Sequence, residues 1–139
     1  MDFTYTRKIN YYETDKMGIT HHSNYIRWME EARVEFLDSI GYGFDKLEAH
    51  GVFSPVLGVE CKYKSATKFR DRVEIEITLE EYNSVRYTVS YKMINQKTKD
   101  IVCTGKTRHC FTNEEGKPVI LKKEYPEFDN AIRSFVKGD

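Results

Sequence analysis

The sequence lacks a net charge, a long apolar run and a cysteine framework. Lys plus Arg equal Asp plus Glu at 22 each, so no overall field attracts nucleic acid or an anionic membrane. No apolar run approaches the ~20 residues that a membrane-spanning helix needs. The start MDFTYTRKIN has no secretory-type apolar core, and the three cysteines form no Cys-x-x-Cys motif. We expect a cytoplasmic protein with no nucleic-acid partner and no membrane span.

The composition that is present fits a folded globular chain. Of the 139 residues, 40% are hydrophobic and 32% are charged, proportions typical of a protein that buries a core. We find no internal repeat, linker or low-complexity stretch along the sequence. One domain over residues 1–139 is therefore expected.

Strict alternation of apolar and polar residues predicts the centre of a sheet. It covers residues 73–80 (VEIEITLE) and then residues 85–93, separated only by EYNS at 81–84. A period of two is typical of a strand with one dry and one wet face, and so short a connection favours an antiparallel hairpin. A third β-rich run, residues 101–111, has polar residues on both faces and would extend the meander.

Two further strands are predicted upstream of the hairpin. Residues 57–64 alternate between apolar side chains and Gly, Glu or Lys. A strand at the amino end is marked by aromatic and aliphatic side chains, namely Phe3, Tyr5, Ile9 and Tyr11. The sequence thus predicts five strands.

A long amphipathic helix is predicted between the first two strands. Apolar side chains recur there at three- and four-residue steps: Tyr25, Trp28, Met29, Ala32, Phe36 and Ile40. Ser23 or Asn24 would cap its start, and Gly41 would end it. Because Ile26 and Leu37 widen the apolar stripe, we expect a sheet to wrap around this helix. Shorter helices are predicted at 44–49 and within PEFDNAIRSF near the carboxyl end.

The segment before this helix resembles a known signature. Residues 11–33 read Y-x-E-T-D-K-M-G-I-T-H-H-S-N-Y-x-R-W-x-E-x-A-R, which is similar to the D-x-D-x-x-G-x-x-x-H-x-N-Y pattern of hotdog-fold acyl-CoA thioesterases of the 4-hydroxybenzoyl-CoA thioesterase-like family. The residues in register are Asp15, Gly18, His22, Asn24, Tyr25, Arg27, Trp28, Glu31 and Arg33. Residues 60–71 continue the resemblance weakly. Glu13, Ala66 and the pair Thr20–His21 depart from it.

The resemblance implies an α+β hotdog fold, in which a five-stranded antiparallel sheet wraps around a long central helix. It also implies hydrolysis of an acyl-CoA thioester, with Asp15 as the catalytic carboxylate and the amino end of the helix as the oxyanion site. Coenzyme A would be part of the substrate, so no separate cofactor is expected. Members of this family join two subunits edge to edge, which implies a homodimer or a homotetramer.

The chemistry of the segment supports such a site. Thioester hydrolysis needs a base or nucleophile and a donor for the developing carbonyl oxyanion. The helix start supplies unpaired amides near His22 and Ser23, while Gly18 permits a tight turn or a close approach of substrate. Asp15 could attack the thioester directly or activate a water, and both routes stay open. The His22 side chain could bind the carbonyl or thiolate, or orient Asp15.

Substrate contacts are predicted outside the catalytic pair. Met17 and Ile19, with His21 and Phe53, are candidates for lining the acyl pocket. The segment KYKSATKFRDR at 62–72 carries a local positive charge suited to the phosphates of coenzyme A. Its candidate contacts are Lys62, Lys64, Lys68 and Arg70.

Competing interpretations remain at this stage. A metal site is not expected, because adjacent histidines in an extended loop point in different directions and no His-x-x-x-His or Cys-x-x-Cys motif supplies companions. A noncatalytic acyl-CoA-binding protein and a hotdog acyl-thioester dehydratase both fit the same fold, because fold does not determine function. Release of free thiol from an acyl-CoA distinguishes hydrolysis from either alternative.

Overall fold

A computed structural model describes residues 3–136 of the protein. Its five strands are β1 (Phe3–Lys8), β2 (Val56–Tyr63), β3 (Arg72–Tyr82), β4 (Arg86–Asn95) and β5 (Ile101–Cys110). They form one sheet in the order β1-β3-β4-β5-β2, and every neighbouring pair is antiparallel. The helices are α1 (Ser23–Ser39), α2 (Phe44–Ala49), α3 (Leu121–Glu124) and α4 (Pro126–Arg133). The predicted five-stranded antiparallel sheet with a long helix is confirmed.

The central hairpin follows the alternation in the sequence. The apolar side chains of β3 and β4 are buried on one face, among them Val73, Ile75 and Met93. Strand β3 runs two residues further than predicted, to Tyr82, so the turn covers residues 83–85 rather than 81–84. Asn83 closes it, because its side-chain oxygen accepts the N–H groups of Val85 and Arg86.

Helix α1 packs its apolar stripe against the sheet, and its ends differ in how well the sequence predicted them. Gly41 ends it as predicted, with φ +83° and its N–H donated to the Asp38 carbonyl at 3.1 Å. The cap prediction is wrong, because Ser23 is already helical and the preceding residue, His22, makes no side-chain cap hydrogen bond. Ile26 is 42% exposed in the single chain.

The amino-terminal strand is shorter than expected. Ile9 and Tyr11 were predicted to belong to it, but β1 ends at Lys8 and residues Tyr11–Glu13 form a 3-10 turn. The turn is fixed because the Glu13 carboxylate accepts the N–H of Asn10 at 2.8 Å. Elsewhere the predicted short helix 44–49 is confirmed as α2, the terminal helix as α4, and α3 is additional. Within residues 3–136, no helix combines the length and apolarity needed to cross a membrane.

Candidate active site

The segment between β1 and α1 folds into a small hairpin. Thr14 pairs with Thr20, and the Asp15 N–H donates to the Ile19 carbonyl at 2.9 Å. Gly18 lies at φ +80°, a backbone conformation that a residue with a Cβ rarely adopts, and its N–H donates to the Asp15 carbonyl at 3.0 Å. The residues of the signature thus form one compact turn, which we call the opening loop (residues 14–22).

Asp15 lies at the exposed tip of the opening loop. One carboxylate oxygen, Oδ1, accepts the N–H of Met17 at 2.8 Å, an interaction that fixes the side chain against the turn. The other oxygen has no hydrogen-bond partner among the described residues. Met17 is 82% exposed and Ile19 36% exposed. In a single chain this carboxylate therefore faces outward, with one oxygen available.

Glu13, a buried residue just before the opening loop, anchors this loop. Its carbonyl accepts the His21 N–H at 2.8 Å and the Asn24 side-chain N–H at 3.0 Å. Its buried carboxylate accepts from Arg7 at 2.6 Å and from the Trp28 indole N–H at 2.8 Å. Burial alone would raise the pKa of Glu13, but these hydrogen bonds outweigh it and hold that pKa below its ordinary value.

The start of α1 leaves one amide free. Asn24 donates its N–H to the His21 carbonyl at 3.0 Å, and Tyr25 donates its N–H to the His22 carbonyl at 3.3 Å. The Ser23 N–H is donated to the ring Nδ1 of His21 at 3.2 Å, and the Ser23 hydroxyl also contacts that nitrogen at 2.8 Å. The His22 N–H has no acceptor among the described residues. Of the two amides that the sequence suggested, Ser23 is engaged and His22 is available.

The histidine doublet is exposed and its rings stack. The centroids of His21 and His22 lie 4.3 Å apart, and the His22 ring meets the edge of Tyr63 at 6.1 Å. His21 thus acts as the helix cap that the sequence assigned to Ser23 or Asn24. No sequence signal for this role exists, because histidine is not a preferred cap and Asn24 is drawn inward by Glu13.

The basic segment borders the opening loop at one point. Lys68 pairs with Ile19 through the main chain, and Thr20 donates its N–H to the Thr67 carbonyl at 2.8 Å. The structure exposes all four predicted phosphate contacts: Lys62, Lys64, Lys68 and Arg70. Phe53, a predicted pocket residue, instead pairs with Thr112 beyond the far end of β5. The structure therefore does not bring Phe53 to the opening loop.

Comparison with known proteins gives consistent matches over most of the chain. The family model described as the thioesterase-like superfamily matches residues 9–136. An Aquifex aeolicus protein that carries the name of an esterase is 39% identical over 127 residues, covering 91% of this chain and 97% of its own. A Prochlorococcus marinus 1,4-dihydroxy-2-naphthoyl-CoA hydrolase is 25% identical over 127 residues, covering 87% of this chain and 81% of its own.

The solved structures that this chain is similar to share its whole architecture. DHNA-CoA thioesterase from Staphylococcus aureus superposes with a TM-score of 0.90 at 28% identity, covering 96% of this chain and 89% of that one. An Aquifex aeolicus protein superposes with a TM-score of 0.83 at 38% identity, covering 90% of this chain and 97% of that one. The opening loop and the start of α1 lie inside residues 9–136, the range that the family model matches.

Proposed function

The chain belongs to the thioesterase-like superfamily and is a hotdog-fold thioester hydrolase, and we propose that it cleaves an acyl-CoA to a free acid and coenzyme A. The observation that carries the proposal lies in one short segment. There the free carboxylate oxygen of Asp15 and the free amide of His22 belong to the same compact loop. A negative group and an oxyanion donor are the two components that thioester hydrolysis requires.

In the proposed mechanism the thioester carbonyl oxygen accepts the His22 N–H. Negative charge that develops on this oxygen is stabilised by the amide and by the positive end of the α1 dipole. Asp15 either attacks the carbonyl carbon, giving a mixed anhydride that water then hydrolyses, or removes a proton from an attacking water. In both routes the C–S bond breaks and coenzyme A leaves as a thiolate. The His22 ring, which is exposed next to this amide, would then protonate that thiolate.

A second subunit completes the site in this proposal. The edge strand β2 exposes apolar side chains along its length, with Val56 at 48%, Leu57 at 55% and Tyr63 at 48%. An uncovered apolar edge favours pairing with another strand. We propose a homodimer, or a homotetramer built from dimers, that joins β2 to β2. The partner would then cover the opening loop and enclose Asp15, whose carboxylate is exposed in the single chain.

Coenzyme A is proposed to lie along the basic segment. Lys68 is adjacent to the opening loop through its pairing with Ile19, and Lys62 and Lys64 follow along the β2 edge. Ammonium and guanidinium groups bind phosphate oxygens through charge-assisted hydrogen bonds. The acyl pocket would form between Met17 and Ile19 and the partner's surface.

The substitution Asp15→Asn tests the proposal, because Asn retains an oxygen that can accept the Met17 N–H and so keeps the turn. We expect turnover to fall by about 100-fold or more when thiol release is followed over a panel of short-chain, long-chain and aromatic acyl-CoAs. Asp100→Asn, at an exposed position in the β4–β5 turn, is the matched control and should retain activity. Near-normal turnover of a folded Asp15→Asn protein would contradict the mechanism. Tight binding without thiol release in the native protein would favour a noncatalytic binder.

A further inference from the structure

An internal cavity lies between α1, α2, α4 and the inner face of the sheet. Its volume is about 40 Å³. Most of its wall is apolar and includes Leu37, Leu47, Leu79, Val89, Phe111 and Phe128. Arg33, Ser54 and Tyr87 contribute the polar part of the wall. A guanidinium thus forms part of the lining of an otherwise apolar space.

Arg33 is buried without a counter-charge. Its side chain lies on α1, is 9% exposed, and makes one hydrogen bond, from Nη1 to the Tyr91 hydroxyl at 2.9 Å. No carboxylate among residues 3–136 lies within ion-pairing distance of it. Nε and Nη2 have no protein acceptor there but keep some accessible surface, and the Arg33 side chain lines the cavity. Arginine does not lose its proton in proteins, so the positive charge must be balanced from elsewhere.

The neighbouring side chains cannot provide that balance. Since Arg33 only donates, the Tyr91 hydroxyl accepts from it, and this hydroxyl lies 2.6 Å from that of Thr107, which lies 2.7 Å from Nε2 of His109. Burial and the Arg33 charge lower the pKa of His109 to about 3, and burial raises the pKa of Tyr91. Both groups are therefore neutral, and the hydrogen-bonded chain carries no negative charge.

The size and the walls of the cavity restrict its occupant. At roughly 10–15 Å³ for each water-sized sphere, the space holds about three such spheres. Water would bring no charge, and a halide would leave the apolar wall without a partner. A carboxylate fits the planar fork of a guanidinium, and a short alkyl end fits beside Leu79 and Val89. The half-buried rings of Phe36 and Phe135, with centroids 5.1 Å apart, also line the cavity.

We propose that this cavity is a binding site for a short aliphatic carboxylate such as acetate or propionate, with its oxygens on Nε and Nη2 of Arg33. Arg33 lies on α1, eleven residues after His22, which precedes the helix, and so about 16 Å further along the helix axis. The site is thus separate from the opening loop and does not rest on the proposed function. Carboxylates are, however, the class of compound that thioester hydrolysis releases.

Thermal melting of the full-length protein tests the site. Sodium acetate and sodium propionate should raise the melting temperature by about 8 °C at a hundred-fold excess over Kd, whereas sodium chloride at equal ionic strength should not. Hexanoate, too long for the cavity, should act more weakly. Arg33→Met should abolish the acetate effect. Arg27→Met removes an exposed arginine of the same helix and should preserve it.

The outcomes separate a carboxylate site from its alternatives. A chloride effect equal to that of acetate would overturn the assignment of a carboxylate. No effect of any anion, with Arg33→Met melting higher than the native protein in plain buffer, would show a cavity that holds only water. If Arg33→Met does not fold, line broadening of carbon-13 acetate with native protein, relieved by excess propionate, supports the site, and its absence refutes it.

Discussion

Replacing Glu13 with Gln is expected to lower the free energy of unfolding by about 3 kcal/mol. The carboxylate is 4% exposed and accepts from Arg7 and the Asn10 N–H on one oxygen and from Trp28 on the other. Gln supplies one oxygen and one NH₂ group, so at least one of these donors would face another donor. The Arg7 guanidinium would also lose its buried counter-charge.

Glu31→Gln provides a matched control on the same guanidinium. Glu31 is the second carboxylate on Arg7, at 2.9 Å, but its side chain is 37% exposed. Exposed ion pairs contribute up to about 1 kcal/mol, so Glu31→Gln should cost much less than Glu13→Gln. Urea unfolding at pH 7 measures both, and thermal melting should show a loss of about 10 °C for Glu13→Gln. Equal costs for the two variants would refute the argument from burial.

The pH dependence provides a second test of the Glu13 prediction. The pKa of Glu13 is held below its ordinary value in the folded protein. Its contribution is therefore fully present above the unfolded pKa, near 4.5, and is lost as pH falls through the folded pKa. The gap in stability between native protein and Glu13→Gln should narrow in acid. A gap that stays constant between pH 7 and pH 3 would show that the charge is not responsible.

Gly105→Ala should lower the free energy of unfolding in urea by about 2 kcal/mol, because a Cβ there would lie 2.5 Å from a main-chain oxygen of β2. Gly58→Ala on β2 should be tolerated, because a Cβ at that position would have no heavy atom within 4 Å. A harmless Gly105→Ala would refute the close approach. Asp129→Asn should cost about 3 kcal/mol by chemical unfolding, since two hydroxyls and the Arg133 guanidinium donate to this buried carboxylate; a loss under 1 kcal/mol would contradict this. The pKa of His109 is lowered to about 3 in the folded protein. Between about pH 6.5 and pH 3 the unfolded chain therefore binds a proton that the folded protein excludes, so the free energy of unfolding should decrease as the pH falls. This decrease should be smaller in His109→Gln. Urea unfolding at pH 7 and pH 4 measures this change in stability for both proteins. An equal loss of stability in the native protein and in His109→Gln would exclude His109 as its source.

The sequence predicted the elements whose signal is local. Alternation in residues 73–80 was sufficient to place β3, because successive side chains there alternate between the buried and the more accessible face of the sheet. Gly41 ended α1 because a left-handed residue satisfies the last carbonyls within a few positions. Residues 101–111 were predicted as a strand despite polar residues on both faces, and β5 explains those on the inner face, because Thr107 and His109 are buried and hydrogen-bonded there.

The parts that the sequence could not predict depend on long-range contacts. Glu13 departs from the family pattern in the sequence, yet it holds the opening loop through partners on β1 and α1. The same contacts turn Asn24 inward, which leaves His21 to cap the helix. Arg33 was placed in register with the family signature, but only the packed structure shows that its charge is buried without an ion pair. The type of a residue alone does not predict which residues distant in the sequence it will contact.

The strand order determines when β2 can pair during synthesis of the chain. Strand β2 ends at Tyr63, but its hydrogen-bonding partner is β5, with Tyr63 opposite Cys103 and Val56 opposite His109. A nascent chain therefore leaves the main-chain hydrogen-bonding groups of β2 without their β5 partners until the ribosome has released about the first 110 residues. Long-range pairing of this kind slows folding, because the intervening chain must be ordered before the contact forms. Translation that stalls before β5 would leave β2 as an unpaired strand with exposed apolar side chains, so truncated products should aggregate.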